Sequence, residues 1–334
     1  MATNGHGIDG DSRRRRRIAE ILLWVTPLIW SSNYIIARAA RDIVPPNLLA
    51  FGRWSVALAV LLPFNGVALA RSFGDWRGEW WRLLVLGALG MWICGAFVYI
   101  GARATTATNI ALIYAAAPVG IAVLGHRLLG ERATGAQRFA MGLAVAGVLC
   151  VIVKGDPRDL IHVRFNAGDP WILVAGIAWI AYSVLQRLWS STLPPSQRLT
   201  AITAGGLLVL LPFTIHEAIG RGGIDIDRRG ALLIVMAGLL PGALSYQAYL
   251  WMQRELGATR AGLVMYLAPV YSAFTAWWLL DEPPRWFHAV GAALILPGIF
   301  FATRDAKPPP AAPERGNGTS EREATTRRRD PAVT

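Results

Sequence analysis

Long apolar stretches alternate with short polar clusters along most of the chain. Each stretch is about 20 residues long, which is the length that an α-helix needs to cross the roughly 30 Å hydrocarbon core of a bilayer. Runs such as LAVAGVLCVIV (143–153) lack the alternation of apolar and polar residues that membrane β-strands show. The pattern predicts an all-α integral membrane protein. Its ten predicted spans are 18–37, 47–69, 82–101, 107–128, 135–153, 170–189, 198–219, 230–252, 258–280 and 286–303.

Two segments of the sequence return later in the chain. Residues 115–132, AAAPVGIAVLGHRLLGER, match residues 266–283, YLAPVYSAFTAWWLLDEP, at seven of eighteen positions with an offset of 151. A second match, with an offset of 149, aligns residues 30–64 with 179–213 and contains ten identities. The chain is therefore predicted to contain two copies of one unit. These copies are residues 18–155 and residues 168–303.

Each predicted copy holds five spans, and this odd number decides how the copies are oriented. The second copy enters the membrane from the opposite side, so a pseudo-twofold axis in the membrane plane relates the two. Many secondary transporters are built from inverted repeats of this kind, with the substrate site near the midplane between them. The sequence therefore predicts transport by alternating access, because two mirrored halves can exchange inward-open and outward-open states.

Composition and charge refine this prediction. Only 16% of the residues are charged, against about 25% in soluble domains. The net charge is +12, but the segments on the amino-terminal side of the predicted membrane, including the arginine run 13–17, hold more than twice as many Lys and Arg as the opposite loops. This bias predicts that both termini are cytoplasmic, in a bacterial inner membrane, and it removes the reason to expect a nucleic-acid partner. Residues 1–17 and 304–334 are predicted to be disordered tails.

The reactive residue types form no catalytic or metal-binding pattern in the sequence. Cys94 and Cys150 lie inside predicted spans, and the five histidines are scattered. The sequence has no G-x-x-x-x-G-K-[ST] phosphate loop, which argues against an ATP-driven pump. We therefore expect no cofactor, no metal and no enzyme, although an integral-membrane enzyme is the rival from a different functional class.

Four segments carry a resemblance to a known family. They are WSSNYIIARAA (30–40), PPNLLAFGRW (45–54), ATNIALIYAAAPVGIAVLGHRLLGER (107–132) and ATRAGLVMYLAPVYSAFTAWWLLDEPP (258–284). Over residues 18–303 the chain resembles the ten-helix EamA branch of the drug/metabolite transporter superfamily, except that Ser31 replaces the glycine of the family's usual Trp-Gly-Ser-Asn run.

The resemblance implies a permease that exports a small organic metabolite, with amino acids or related compounds as the first expectation. The alternatives are an exporter of drugs or other amphipathic compounds and a lipid-headgroup flippase of the same superfamily. The cargo and the lipid bilayer are the expected partners, and a homo-oligomer is left open.

Polar and aromatic residues at predicted mid-membrane depth are candidates for cargo contacts. Asn33 is costly in hydrocarbon unless its hydrogen bonds are satisfied, so it either binds cargo or bonds to another helix. The aromatic residues offer an apolar face and a polar tip to an amphipathic solute, but they can also anchor the lipid interface or pack in the core. Tyr249 and Trp251, near the end of span eight, are assigned to the interface. The substrate-binding candidates are Asn33, Trp30, Tyr99, Asn109, Tyr114, Tyr182, Tyr246, Gln247 and Tyr266.

Prolines mark places where the predicted helices bend. Pro118 and Pro269 occupy matching positions in spans four and nine, where their kinks serve either as gating points or as static shape. Pro241 and Gly242 are predicted to break span eight, at the place that matches Gly90 in the first copy.

Two kinds of charged residue complete the set of candidates. Arg53 is the one basic residue well inside a predicted span, and it is a candidate contact for an anionic cargo group. The alternative is a structural role, which the resemblance favours because members of the family often have arginine at this position. Glu131 and Glu282 end spans four and nine and are predicted to tie hairpin ends together. Thr134 and Gln137 form a capping-box pattern that predicts the start of span five.

Overall fold

The computed structural model describes residues 5–105, 110, 113–114, 116–153, 156, 158, 166–267, 270–271 and 285–304. These residues form helices joined by turns and loops, with no β-strand among them. The helices are α1 (Gly5–Ala40), α2 (Pro46–Arg71), α3 (Phe73–Gly101), α4 (Ala117–Leu129), α5 (Gly135–Ile152), α6 (Asp169–Leu188), α7 (Pro195–Gly220), α8 (Arg228–Leu256), α9 (Ala258–Gly262) and α10 (Trp286–Arg304).

Length and composition qualify five of these helices, α2, α3, α6, α7 and α8, to cross a membrane. Shorter apolar helices lie within α4, α5 and α10. Large apolar side chains also face outward, since Phe64, Leu208 and Ile219 are 82%, 67% and 74% exposed, as expected where lipid rather than water surrounds the helices. The all-α membrane architecture is therefore confirmed, while the count of ten spans stays a prediction.

Several helix starts follow from the local sequence. The predicted capping box at α5 is confirmed: the Gln137 amide donates to Thr134 Oγ1 at 3.2 Å, and the Thr134 amide donates to Gln137 Oε1 at 2.9 Å. Helices α2 and α7 begin at Pro46 and Pro195, in the first turn, where the missing proline amide leaves no hydrogen bond unmade.

Two segments differ from the predicted spans. The basic tail predicted to be disordered is helical from Gly5 onward and continuous with α1; arginine favours helix, and Arg16 pairs with Glu20 one turn later at 3.3 Å. Pro118, predicted to lie inside span four, is in the first turn of the described helix α4, which begins at Ala117.

The predicted break in span eight is present, and a similar break occurs in the first half of the chain. Helix α8 contains a π-helical segment at Gly238–Leu244, which includes Pro241 and Gly242. Helix α3 contains a π-helical segment at Ala88–Ile93, which includes Gly90. Such segments interrupt the regular ladder of backbone hydrogen bonds and often occur at functional sites.

The packing partners of the helices come in corresponding pairs. Helix α1 packs against α8, and α6 packs against α3. Helix α2 packs against α8, and α7 packs against α3. Helices α2 and α7 also pack against each other, as do α5 and α10. Exchanging α1 with α6, α2 with α7, α3 with α8 and α5 with α10 therefore converts this set of contacts into itself.

Helices α2 and α7 run antiparallel and exchange polar contacts near both ends. The Ser196 hydroxyl donates to Asn65 Oδ1, and the Thr214 hydroxyl donates to the Asn47 carbonyl at 3.5 Å. Near the latter contact, Glu217 accepts hydrogen bonds from Asn47 Nδ2 at 3.2 Å and from a backbone amide at the start of α2 at 3.0 Å. These contacts join the first part of the chain to the second along one helix pair.

Glycines allow two further crossings to be unusually close. A Cβ placed on Gly87 of α3 would lie 2.4 Å from the backbone nitrogen of Gly206 and 2.7 Å from the Ile202 carbonyl oxygen of α7. A Cβ placed on Gly238 of α8 would lie 2.7 Å from the Arg53 carbonyl oxygen of α2. Small residues let membrane helices approach until their backbones touch, which here brings the π-helical segments against α2 and α7.

Candidate functional site

Arg53 stands at the centre of a polar cluster buried between four helices. Its side chain projects from α2 and is 4% exposed. Nη1 donates to Asn33 Oδ1 of α1 at 3.3 Å and to the Tyr99 hydroxyl of α3 at 3.1 Å, and Nη2 donates to the Pro241 carbonyl of α8 at 2.8 Å. The Tyr99 hydroxyl in turn donates to Asn33 Oδ1 at 2.7 Å. We call Arg53, Asn33, Tyr99 and the Pro241 carbonyl the Arg53 cluster.

The π-helical segments supply backbone acceptors to this region. Besides the Pro241 carbonyl, the Met91 carbonyl accepts from Trp54 Nε1 at 3.0 Å, and the Gly90 carbonyl accepts from the Tyr246 hydroxyl at 3.3 Å. Because the segments shift the backbone out of its regular ladder, their carbonyls can bond side chains of neighbouring helices. The local helix distortion therefore helps to satisfy polar groups deep in the protein.

The charge of Arg53 is not balanced by an acid within its own hydrogen bonds. In the described part of the chain its bonding partners are an amide, a hydroxyl and a carbonyl, all neutral, and its Nε has no partner. The guanidinium carbon also lies 4.7 Å from the Trp54 ring centroid and 5.9 Å from that of Tyr246, within cation–π range. A buried cation held by neutral groups keeps most of its attraction for an incoming anion.

Aromatic rings form a second cluster beside the first. Trp30 of α1 meets Trp179 of α6 edge to face, with ring centroids 5.3 Å apart. Tyr246 and Tyr249, one turn apart on α8, lie 6.0 Å and 5.4 Å from Trp30, and Tyr182 stacks on Trp179 at 5.6 Å. We call these five rings the aromatic cluster. Tyr246 and Trp54 join it to the Arg53 cluster, since their centroids are 4.7 Å apart.

Most of the phenolic tips have partners, and one does not. The Tyr182 hydroxyl accepts from Gln186 Nε2 at 2.9 Å, and the Tyr249 hydroxyl donates to Ser183 Oγ at 3.0 Å. The Tyr266 hydroxyl, in the 3₁₀ segment Leu263–Leu267 that continues α9, is buried and has no hydrogen-bond partner among the described residues. A buried hydroxyl without a partner costs free energy, so this group is available to a ligand.

The structure brings most of the predicted site residues together. Asn33, Tyr99 and Arg53 share one set of hydrogen bonds, and the interhelical bond considered for Asn33 is present. Tyr114 is half-buried, and its hydroxyl lies 3.8 Å from Cys94 Sγ. Gln247 is half-buried, and its buried Oε1 has no partner within the ranges that the structure describes.

Other predicted residues lie elsewhere or cannot be placed. Ser31 and Ser32, which precede the candidate Asn33 in the sequence, donate to carbonyls of their own helix at 2.7 Å and 2.6 Å. Pro118 is buried at the start of α4. Asn109 and Pro269 lie outside the described residues.

One assignment was wrong, and one residue was missed. Tyr249 is not at the lipid interface; it is fully buried against Trp30 and Trp179 because it shares a helix face with Tyr246. Trp54 was not singled out, although it follows Arg53 directly and its ring lies under the guanidinium. The three-residue spacing of Tyr246 and Tyr249 places both on one helix face, and this spacing indicates that Tyr249 lies with Tyr246 rather than at the lipid interface.

Comparison with known sequences identifies the protein's relatives. The sequence model of the EamA-like transporter family matches the chain twice, over residues 17–153 and 166–304. The chain belongs to the EamA-like transporter family. It is thus a multi-pass membrane protein of a transporter family, as the four sequence motifs predicted.

Curated members of this transporter group align along most of their length. An uncharacterized transporter of Archaeoglobus fulgidus is 25% identical over 85% of this chain and 96% of its own. The S-adenosylmethionine/S-adenosylhomocysteine transporter of Chlamydia muridarum is 22% identical over 82% of this chain and 88% of its own. A protein of Streptantibioticus cattleyicolor named as a probable terminal-alkyne amino-acid exporter is 27% identical over 84% of this chain and 92% of its own.

A solved structure shares the fold. A crystal structure with no functional description superposes with a TM-score of 0.66, at 20% sequence identity, over 85% of this chain and 97% of its own. The similarity extends over nearly the whole of that protein, so the arrangement of helices described above also occurs in a solved structure.

Proposed function

We propose that this protein is a secondary transporter that exports a small carboxylate-bearing organic metabolite, most simply an amino acid or a related compound, by alternating access. The observation that carries the proposal is the Arg53 cluster: a buried guanidinium held by neutral groups and flanked by aromatic rings. A guanidinium binds a carboxylate with charge-assisted hydrogen bonds, and the rings suit the apolar remainder of the solute.

The relatives support the same chemical class. The two whose names specify a cargo are described as carrying S-adenosylmethionine or S-adenosylhomocysteine and a terminal-alkyne amino acid. Each of these compounds contains an amino acid carboxylate. The name of the second relative also favours export as the direction of transport.

Contacts between the two copies support an inverted repeat over residues 18–155 and 168–303. With an offset of 149, Asn47 corresponds to Ser196 and Asn65 to Thr214, and the two α2–α7 contacts, Asn65 with Ser196 and Asn47 with Thr214, are exchanged by this correspondence. Reciprocal contacts of this kind are expected at a twofold axis. The matched π-helical segments and the double match of the family model point the same way.

The repeat completes the proposed arrangement in the membrane. Two copies of five spans each give ten spans, and the excess of Lys and Arg on the amino-terminal side favours cytoplasmic termini in a bacterial inner membrane. Pro118 and Pro269 are the proposed flex points of the matched fourth and ninth spans. Asn109, Tyr114, Gln247 and Tyr266 are proposed to add polar contacts to the cargo.

A specific observation also favours a second cargo class. The aromatic cluster has no charged member, so it suits amphipathic compounds without a carboxylate, as in a drug exporter. In that case Arg53 would serve to tie α1, α2, α3 and α8 together rather than to bind cargo.

Uptake into proteoliposomes tests the proposal and separates the two cargo classes. The purified full chain is reconstituted and assayed with a panel of labelled amino acids, with the amines that lack only the carboxylate, and with cationic amphipathic dyes. We expect protein-dependent flux of at least one amino acid and a much smaller flux of its amine. Transport of dyes and amines without amino acids would replace the proposed cargo by the amphipathic class.

A further inference from the structure

The carboxylate of Glu131 joins the end of α4 to the beginning of α9. It accepts hydrogen bonds from the Ala258 amide at 3.3 Å, the Thr259 amide at 3.1 Å and the Thr259 hydroxyl at 2.9 Å. Arg187 at the end of α6 completes the contact, with Nε 3.7 Å from Glu131 Oε1. Glu131 was predicted to tie hairpin ends together, and these partners all belong to the predicted second copy. Glu282 lies outside the described residues.

The backbone on both sides is shaped to receive this carboxylate. Gly130, just before Glu131, has a φ of 66°, and Gly257, just before α9, has a φ of 87°, which side-chain-bearing residues rarely adopt. A Cβ placed on Gly257 would lie 3.2 Å from Glu131 Oε1. The carboxylate thus packs directly against the start of α9, and its side chain is only 17% exposed.

This contact lies at a different depth from the Arg53 cluster. Arg260, the residue after Thr259, interacts electrostatically with Arg16 and Glu20 in the first half of α1. Asn33 of the Arg53 cluster lies thirteen residues after Glu20, which is about 20 Å along a helix at 1.5 Å per residue. The Glu131 contact therefore lies toward the membrane face where α1 begins, which we call the amino-terminal face.

We propose that Glu131 is a latch residue, which closes the route from the Arg53 cluster to the amino-terminal face and releases α9 when the protein opens to that face. The inference rests on the proposed alternating access, because opening toward one face requires the two copies to separate there. Glu131 supplies charge-assisted bonds across such a boundary, between α4 of one copy and α9 and α6 of the other. Removing its charge weakens only the closed arrangement, so the population shifts toward the state that is open to the amino-terminal face.

The native cysteines provide a reporter for this opening. Cys94 lies beside the Arg53 cluster, with its sulfur 3.8 Å from the Tyr114 hydroxyl, so its labelling by a membrane-impermeant maleimide reports water access to the cluster. In a Cys150→Ser background, Cys94 is the remaining cysteine of the chain. Labelling is measured on the full chain in right-side-out and inside-out vesicles, with a tag marking the amino-terminal face.

Glu131→Gln is compared with a matched control at another helix start. Glu217→Gln removes the charge from a carboxylate that also accepts a backbone amide across the two predicted copies, but between α7 and α2 rather than between α4 and α9. We expect Glu131→Gln to raise Cys94 labelling from the amino-terminal face several-fold, and Glu217→Gln to lower the melting temperature without changing the ratio between faces. Arg187→Gln keeps the amide contacts of Glu131, so it should also raise Cys94 labelling from the amino-terminal face, but by less. This variant replaces Glu131→Gln in the experiment if Glu131→Gln does not fold.

Two outcomes distinguish failure of the latch from failure of the proposed cargo. The latch alone is overturned if the protein takes up amino acids but Cys94 labelling does not change in Glu131→Gln. The same holds if that labelling rises equally from both faces. A labelling increase restricted to the amino-terminal face, in a protein that moves no member of the amino acid panel, supports the latch and overturns only the cargo.

Discussion

Trp30 and Trp179 meet edge to face at the centre of the protein, with ring centroids 5.3 Å apart. In the sequence they are separated by 149 residues, which is the offset that aligns the first parts of the two copies. Two residues related by an approximate twofold axis can touch only where that axis passes close to both. The contact therefore places the aromatic cluster on the proposed axis, where the substrate site of an inverted-repeat transporter is expected.

The charge of Arg53 can be tested at the position that corresponds to it. We expect Arg53→Gln to lower amino acid uptake at least tenfold, about 1.4 kcal/mol in apparent affinity, because the amide cannot offer a carboxylate the same charge-assisted donors. Arg53→Lys should recover only part of the loss, since lysine lacks the planar fork. Uptake at several cargo concentrations, with melting temperature measured in parallel, is the assay.

The control for Arg53 is Ile202, which corresponds to it in α7 and is fully buried. Ile202→Val should cost about 0.5–1.5 kcal/mol of stability and leave the cargo affinity unchanged. Equal loss of uptake in Arg53→Gln and Ile202→Val would assign Arg53 to packing rather than to the cargo.

Two buried tyrosines should respond in opposite ways to loss of the hydroxyl. Tyr266→Phe removes a hydroxyl that has no partner in the described part of the protein, so we expect unchanged or higher thermal stability and weaker cargo binding. Tyr249→Phe breaks the 3.0 Å bond to Ser183 Oγ and should lower stability by about 1 kcal/mol. Melting temperatures with and without saturating cargo measure both effects; a stability loss in Tyr266→Phe as large as in Tyr249→Phe would show that its hydroxyl has a structural partner.

Close packing of α3 on α7 should make Gly87 intolerant of any side chain. We expect Gly87→Ala to destabilise the protein by about 1–3 kcal/mol, since its Cβ would meet backbone atoms that cannot move aside. The matched variant is Gly142→Ala in α5, where a Cβ would meet nothing within 4 Å. That substitution should be neutral or stabilising, because alanine favours helix over glycine. Thermal unfolding in detergent compares the two, and similar melting temperatures would contradict the close crossing.

The inverted repeat makes a prediction about topology. A tag inserted at Asp156, between the two copies, should lie on the opposite side of the membrane from a tag at the carboxyl terminus, because an odd number of proposed spans separates them. Protease protection in vesicles of known orientation measures the side of each tag. Finding both tags on one side would overturn the inversion and the alternating access derived from it.

Much of the architecture could be predicted from local patterns. Apolar runs of about 20 residues predict membrane helices because hydrocarbon leaves no other partner for backbone amides, and the described helices follow most of those runs closely. The break at Pro241, the capping box at Thr134 and the membership of the transporter family were also accessible, since each depends on residues close together in sequence.

The pairing of side chains was decided by the tertiary structure alone. The sequence identified Arg53, Asn33, Tyr99 and Pro241 one at a time, but helical periodicity reports which face a residue occupies and not which helix lies opposite. Their hydrogen bonds connect positions as far apart as Arg53 and Pro241, and they form because glycine crossings and π-helical segments bring α2 and α8 together. The sequence by itself determined the membrane helices and the arginine inside one of them, and it predicts the duplication. Packing between distant helices decided that this arginine is held by neutral groups and that Glu131 reaches α9.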